Sequence, residues 1–281
     1  MTTERPVARP WPLAARAPRP AGGGSGLARR LPLLALPLIG LALWQGATWL
    51  FDPRPWLLPS PADIARTLVD ERSRLWFHAV ATIEETLLGL GAALAAGLLL
   101  AALIAASRAA ERTIYPWVVA SQTVPILAVA PLLGVWLDYG TAQVLVAALF
   151  SFFPVVVNGV AGLRAADPEL GRALRTLGAS RFDVWRRATL PAALPSLFAG
   201  ARMAAVFAVT GAVVGEYVGA DRGLGYLSEI ATAQFQTVLT FACVAWLAAI
   251  GVALFAVVAA AERIALPYRR HDVLPRRRRT Q

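Results

Sequence analysis

Lysine is absent from all 281 residues, and each of the 27 basic side chains is an arginine. A Walker A phosphate loop requires Gly-Lys-Ser/Thr, so the chain carries no such nucleotide site of its own. Histidine occurs only at His78 and His271, without metal-ligand spacing and with no nucleophile beside either, which leaves no metal centre and no nucleophile–base pair. Both histidines read as solvated or interfacial. The single cysteine, Cys243, can form no internal disulfide and reads as packing within an apolar run. Glu84 and Glu85 are adjacent carboxylates at the entrance to another apolar run, a polar collar rather than an acid–base pair. No catalytic residue is assigned, and an enzyme is not expected.

Charge is also scarce, at 16% of residues, while apolar residues make up 57%, above the 45–50% usual in soluble domains. Charge-free runs extend over Leu31–Phe51, Thr86–Ser107, Thr113–Leu137, Tyr139–Leu163 and Ile230–Ala261. Each reaches the roughly 20 residues that cross a hydrocarbon core. A sixth run, Leu194–Gly215, is interrupted only by Arg202, which is expected to snorkel toward the interface. The composition therefore predicts an all-α membrane protein with six transmembrane helices. A secondary transporter, or another six-span protein without an ATPase partner, is the alternative, but mid-membrane carboxylates and inverted repeats are not visible.

Arginine placement orients the spans, because short loops rich in positive charge remain cytoplasmic. Of the 27 arginines, 21 lie before Leu31, around Arg108 and Arg112, in the 164–190 loop and after Ala261, whereas the alternate loops hold five. Both termini are thus expected in the cytoplasm of a multi-pass inner (plasma) membrane protein. The segment 1–30 reads as a disordered basic tail, 31–56 as the first span, and 57–83 as an external loop with an interfacial helix begun by Ser60 and Pro61 and faced by Ile64, Leu68 and Leu75. The membrane domain proper follows over 84–265, and 266–281 forms a second basic tail. The run Arg276–Arg279 beside a span reads as contact with anionic membrane lipid, not nucleic acid.

One polar segment interrupts the apolar runs. Asp167 followed by Pro168 is a helix N-cap with proline at the first position, and Leu170, Leu174 and Leu177 then share a stripe. Gly178 stops this helix. Ser180 and Asp183 have capping-box spacing for a second helix, with Phe182, Trp185 and Thr189 on one face, which Leu190-Pro191 is expected to end. A cytosolic knob with apolar ridges is a docking surface. Prolines 116, 125 and 131, and Pro154 with Asn158, are expected to break the third and fourth spans, and a broken span is tolerated where it lines a water-filled path.

The same segment resembles the cytoplasmic loop of binding-protein-dependent ABC importer permeases, whose pattern is Glu-Ala-Ala, three residues, Gly, nine residues, Ile-x-Leu-Pro. Ala173, Gly178, Leu190 and Pro191 match it in register, while Arg172, Leu174 and Ala188 stand where Glu, Ala and Ile are usual. Flanking blocks, LRAADPEL, LPAALPSLFAGAR and EYVGADRGLGYL, look like the nitrate/sulfonate/taurine branch. The likeness runs from about Leu57 to Arg263. The resemblance implies a type I ABC importer permease, a second permease copy forming a homodimer, a cytosolic ATPase dimer carrying ATP and Mg, and an external solute-binding protein. It implies ATPase coupling through Asp167, Leu170, Arg172, Ala173, Leu174, Leu177, Gly178, Phe182, Trp185, Leu190 and Pro191. The cargo would be a sulfonate, taurine, nitrate or a related small anion or heterocycle. Gln122, Asn158, Thr210 and Glu216 are the candidate path residues, Glu216 because an ionisable group at a span end is costly unless used; its simpler reading is an interfacial pair with Arg222. No cofactor or metal is assigned to this chain.

Overall fold

The computed structural model describes residues 26–266, all of whose regular elements are helices. The two basic tails expected at the ends therefore lie almost wholly outside the described residues. In chain order the helices are α1 Gly26–Phe51, α2 Pro61–Asp70, α3 Arg72–Ala106, α4 Arg108–Ser121, α5 Ile126–Trp136, α6 Tyr139–Arg164, α7 Pro168–Thr176, α8 Arg181–Val184, α9 Leu190–Glu216, α10 Leu224–Ala233 and α11 Thr237–Ala265. Among the described residues, four stretches are long and apolar enough to cross a membrane: α3, α6, the continuous helix Arg181–Glu216, and α11. A fifth crossing results if α4 and α5, bent by 91° at their junction, are one span. Within α1, Ala35–Phe51 is apolar but shorter.

Three expectations change. The external 57–83 segment is mostly helical: Ser60 caps α2 through its side chain, but the helix divides at Glu71, and Leu75 belongs to α3. At 35 residues α3 is about 50 Å long, well beyond a hydrocarbon core of roughly 30 Å, so its first turns stand clear of the apolar layer. Leu190-Pro191 does not end the second knob helix. The ladder instead widens into a π turn over Trp185–Thr189, closed by the Leu190 N–H on the Trp185 carbonyl, and continues as α9 with Pro191 in its first turn. A π turn is the usual place for a helix to absorb such a residue, since proline has no N–H to give the ladder. Finally, Pro154 leaves α6 unbroken, with the Asn158 side chain donating to the Pro154 carbonyl at 2.9 Å. The carbonyl that Pro154 leaves without an N–H is that of Phe150, one turn earlier, and the helix runs on across it.

Small residues draw α3, α6 and α9 together. A Cβ on Gly211 would lie 2.7 Å from the Ala147 Cα, and one on Gly215 would lie 2.9 Å from the Gln143 Cα. Ala204, Ala205, Ala208 and Ala212 are fully buried along the same face of α9. Apolar burial drives nothing between helices in lipid, so such close backbone approach is where packing energy comes from. At the opposite end of the chain's path, Leu75, Leu224, Leu227 and Cys243 form a second buried cluster that ties α3, α10 and α11, with Trp44 of α1 against it. Cys243 is indeed packing.

Among the described residues, two ion pairs cross between helices. The Arg202 guanidinium reaches Glu262 of α11, just past the end of a charge-free run, at 3.0 Å and lies over the Phe255 ring. Arg164, at the end of α6, pairs with Glu111 of α4 and donates to the Ile104 carbonyl of α3. At the other end of α6, Ala142 and Val146 pack against Ala130 and Leu133 of α5. The bent α4–α5 pair is thus held at both ends of α6, an arrangement suited to one broken crossing rather than a loop returning to its starting side.

Candidate docking surface and path residues

The knob is built by its own capping chemistry. Asp167 accepts from the Glu169 N–H at 2.8 Å to start α7. At the far end the Ala179 N–H reaches the Leu174 carbonyl and the Gly178 N–H the Arg175 carbonyl, both at 3.0 Å, a Schellman closure. Gly178 sits at φ +87°, where a side chain is strained, with open space around it. Ser180 and Asp183 then form the expected capping box, each accepting from the other's backbone N–H at 3.1 Å. Val184 of α8 packs against Gly171 of α7, which sets the two short helices side by side.

Apolar side chains crown this knob instead of entering the core. Leu170 is 49% exposed, Leu177 84%, Phe182 65% and Trp185 44%, and the Phe182 and Trp185 rings stack with centroids 6.0 Å apart. Lone exposed leucines need no explanation, but four large apolar groups on one small polar element mark a contact surface. Ala173 and Arg172 are exposed beside them, Arg172 pairing loosely with Glu169 at 3.5 Å. Leu174, Leu190 and Pro191 are half-buried, the last two at the root of the knob, and Thr189 is half-buried rather than on the exposed face.

The four path candidates are not brought together. Gln122 is exposed at the α4–α5 junction, and Thr210 is exposed on α9 beside a valine-rich groove shared with α11. Asn158 is half-buried, its Cβ against Gly200, between α6 and α9. Glu216 has no exposure at all and makes no ion pair with Arg222. Its carboxylate accepts from the Thr82 hydroxyl at 2.6 Å and from the Gly225 and Tyr226 N–H groups, so it caps α10 from a neighbouring helix.

That cap includes residues the sequence did not point to. The Thr82 hydroxyl accepts from the Leu224 N–H at 2.8 Å, and His78, buried rather than solvated, accepts from the Gly223 N–H at 3.1 Å. Glu85, also buried, hydrogen-bonds Glu216 from the next turn of α3. The available signal was the spacing His78, Thr82, Glu85, a single stripe of α3 carrying polar groups among alanines and leucines. Beside this cluster a cavity of about 1060 Å³ is lined by Glu84, Glu85, Asp138, Asp221 and one cation, Arg222. Asp138 caps α6 through Thr141, whose N–H and hydroxyl hold its carboxyl below the usual range.

Comparisons with known proteins agree with this architecture. The family described as binding-protein-dependent transport system inner membrane component matches residues 93–265. The riboflavin transport system permease protein RibX of Chloroflexus aurantiacus is 39% identical over 239 residues, covering 83% of this chain and 89% of that one. The formylaminopyrimidine transport permease protein ThiX of Halalkalibacterium halodurans is 36% identical over 235 residues, 83% of this chain and 94% of that one. The putative aliphatic sulfonates transport permease protein SsuC of Bacillus subtilis is 34% identical over 230 residues, 80% of each. Among solved structures, an amino acid ABC transporter crystallised with histidines aligns with TM-score 0.55 at 22% identity, covering 73% of this chain and 97% of that one, a likeness of fold. The chain belongs to the binding-protein-dependent inner membrane components, the permease subunits of ABC transporters, in which ATP hydrolysis lies on a separate chain.

Proposed function

We propose that this permease subunit imports a small nitrogen heterocycle, working as a homodimer with six spans per copy and both termini in the cytoplasm. The family implies an ATPase and a solute-binding protein as partners. In this reading two ATPase subunits, holding ATP and Mg, seat the exposed ridge of Leu170, Leu177, Phe182 and Trp185 in their grooves. That ridge is the observation that carries the proposal. Closure of the ATPases would draw the two knobs together, and the unbroken helix from Arg181 to Glu216 would carry the movement through the membrane, without a flexible joint, to the α10 cap at its far end. The sixth span would be α1.

The solute class rests on two supports. RibX and ThiX, named for riboflavin and a formylaminopyrimidine, match at 39% and 36% identity. The cavity beside the α10 cap sets the carboxylates of Glu84, Asp138 and Asp221 against one guanidinium, Glu85 sharing a proton with Glu216, and this field favours neutral or cationic solutes over anions. Reconstitution with its cognate ATPase and binding protein tests the assignment: riboflavin or an aminopyrimidine is expected to stimulate ATP hydrolysis. Stimulation by ethanesulfonate or taurine instead would move the chain to the sulfonate group represented by SsuC.

A further inference from the structure

The charge-free run Thr113–Leu137 contains a defect that no lipid-facing span can carry. α4 ends in tight turns, with the Thr123 N–H on the Ala120 carbonyl at 3.0 Å and the Val124 N–H on the Ser121 carbonyl at 3.3 Å, and α5 restarts after Pro125. Gln122 lies about 20 Å along α4 from Arg108, near the middle of the run. The carbonyls of Gln122, Thr123 and Val124 and the N–H groups of Ile126 and Leu127 find no hydrogen-bond partner among the described residues, and all five residues but Ile126 are exposed. The Ser121 and Thr123 hydroxyls are turned back on α4 carbonyls at 2.7 Å, so they relieve none of these groups. The Gln122 carboxamide makes no bond among the described residues either.

Unpaired backbone at mid-membrane depth is stable only in protein or beside water. Both ends of the broken span are held against α6, through the Glu111–Arg164 pair and the α5 contacts with Ala142 and Val146, so the junction cannot escape to an interface. Resting on the permease reading above, we propose that the 122–127 break lines the aqueous path and is where this chain hydrogen-bonds an uncharged or zwitterionic solute carrying N–H donors beside acceptors. The chemistry follows from the groups on offer. Three carbonyls only accept, two N–H groups only donate, and Gln122 does both, which suits the mixed edge of an amino-heterocycle or ureide. An oxyanion has acceptors alone and would face three carbonyl dipoles with the wrong sign.

Cysteine labelling in the assembled importer tests this. Cys243→Ala gives a cysteine-free background, into which Gln122→Cys, Thr123→Cys and, as an exposed position in an unbroken span, Leu99→Cys are placed. A thiol must meet water to form its reactive thiolate, so the first two are expected to react with a membrane-impermeant methanethiosulfonate at least about tenfold faster than Leu99→Cys. Millimolar cytosine is expected to slow labelling of Thr123→Cys, and nitrate is not. Rates at 122 and 123 no faster than at 99, in variants that still co-purify with the ATPase, overturn the path assignment. Protection by nitrate and not by cytosine overturns the solute class. Failure of the unsubstituted chain to bind the ATPase would instead overturn the permease reading on which both rest.

Discussion

Replacing Gly178 with valine separates backbone strain from every other effect, because a Cβ there meets no atom within 4 Å. The residue sits at φ +87°, closing α7 through hydrogen bonds from Gly178 and Ala179, and a β-branched side chain in that region costs roughly 1–2 kcal/mol. A penalty of that size lowers the population of the native turn by a factor of about 5–30. The loss is local: Leu177 and Phe182 flank the turn, so the angle between the two halves of the exposed ridge changes while the packed face of α9 is untouched. Gly178→Val is therefore expected to insert and unfold like wild type in detergent, yet to lose most binding to the ATPase and most solute-stimulated ATP hydrolysis. Gly178→Asn, whose side chain tolerates positive φ, is expected to retain both. Equal ATPase binding by Gly178→Val and wild type would refute the reasoning, since the turn would then set no contact geometry.

Gly215→Val presses against the Gln143 backbone at under 3 Å and should lower the thermal midpoint of the solubilised chain by an amount equivalent to about 1–3 kcal/mol, whereas Gly91→Ala, with no atom within reach, should not. Arg202→Leu leaves Glu262, 14% exposed, without its partner. The cost should be below the roughly 3–5 kcal/mol of a fully buried pair because Arg202 keeps a third of its exposure, and Glu262→Gln in the same chain should recover part of it in a thermal unfolding assay. Reporter fusions after Arg164 should read cytoplasmic and fusions within 60–75 external; the reverse would place the knob on the wrong side for an ATPase.

Local chemistry was legible and long-range chemistry was not. The Asp167-Pro168 start, the Ser180/Asp183 capping box and the positive φ at Gly178 follow from residue type within a few positions, and all three are present. Leu190-Pro191 misled because proline ends a helix only when the ladder cannot widen, and five residues of π turn accommodate it. Pro125 and Pro154 look alike in sequence, yet one begins a new helix and the other sits in an unbroken one. The simpler reading of Glu216, an interfacial pair with Arg222, failed because its partners Thr82 and Glu85 lie far back in the chain, on a helix expected to begin only after them. His78 reads as solvated or interfacial in the sequence because its partner, the Gly223 N–H, is equally remote. The long extension of α3 is what brings that polar stripe over α10.

The central claim is that the exposed ridge of the knob is where this permease meets its ATPase. Co-purification of tagged ATPase with the wild-type chain and with Leu177→Asp/Phe182→Asp tests it most directly, as both side chains are mostly exposed and neither supports the core. The account predicts stable retention of the ATPase by wild type and its loss from the double variant, with both permeases equally inserted and equally resistant to heating. Undiminished retention of the ATPase by the double variant would contradict it.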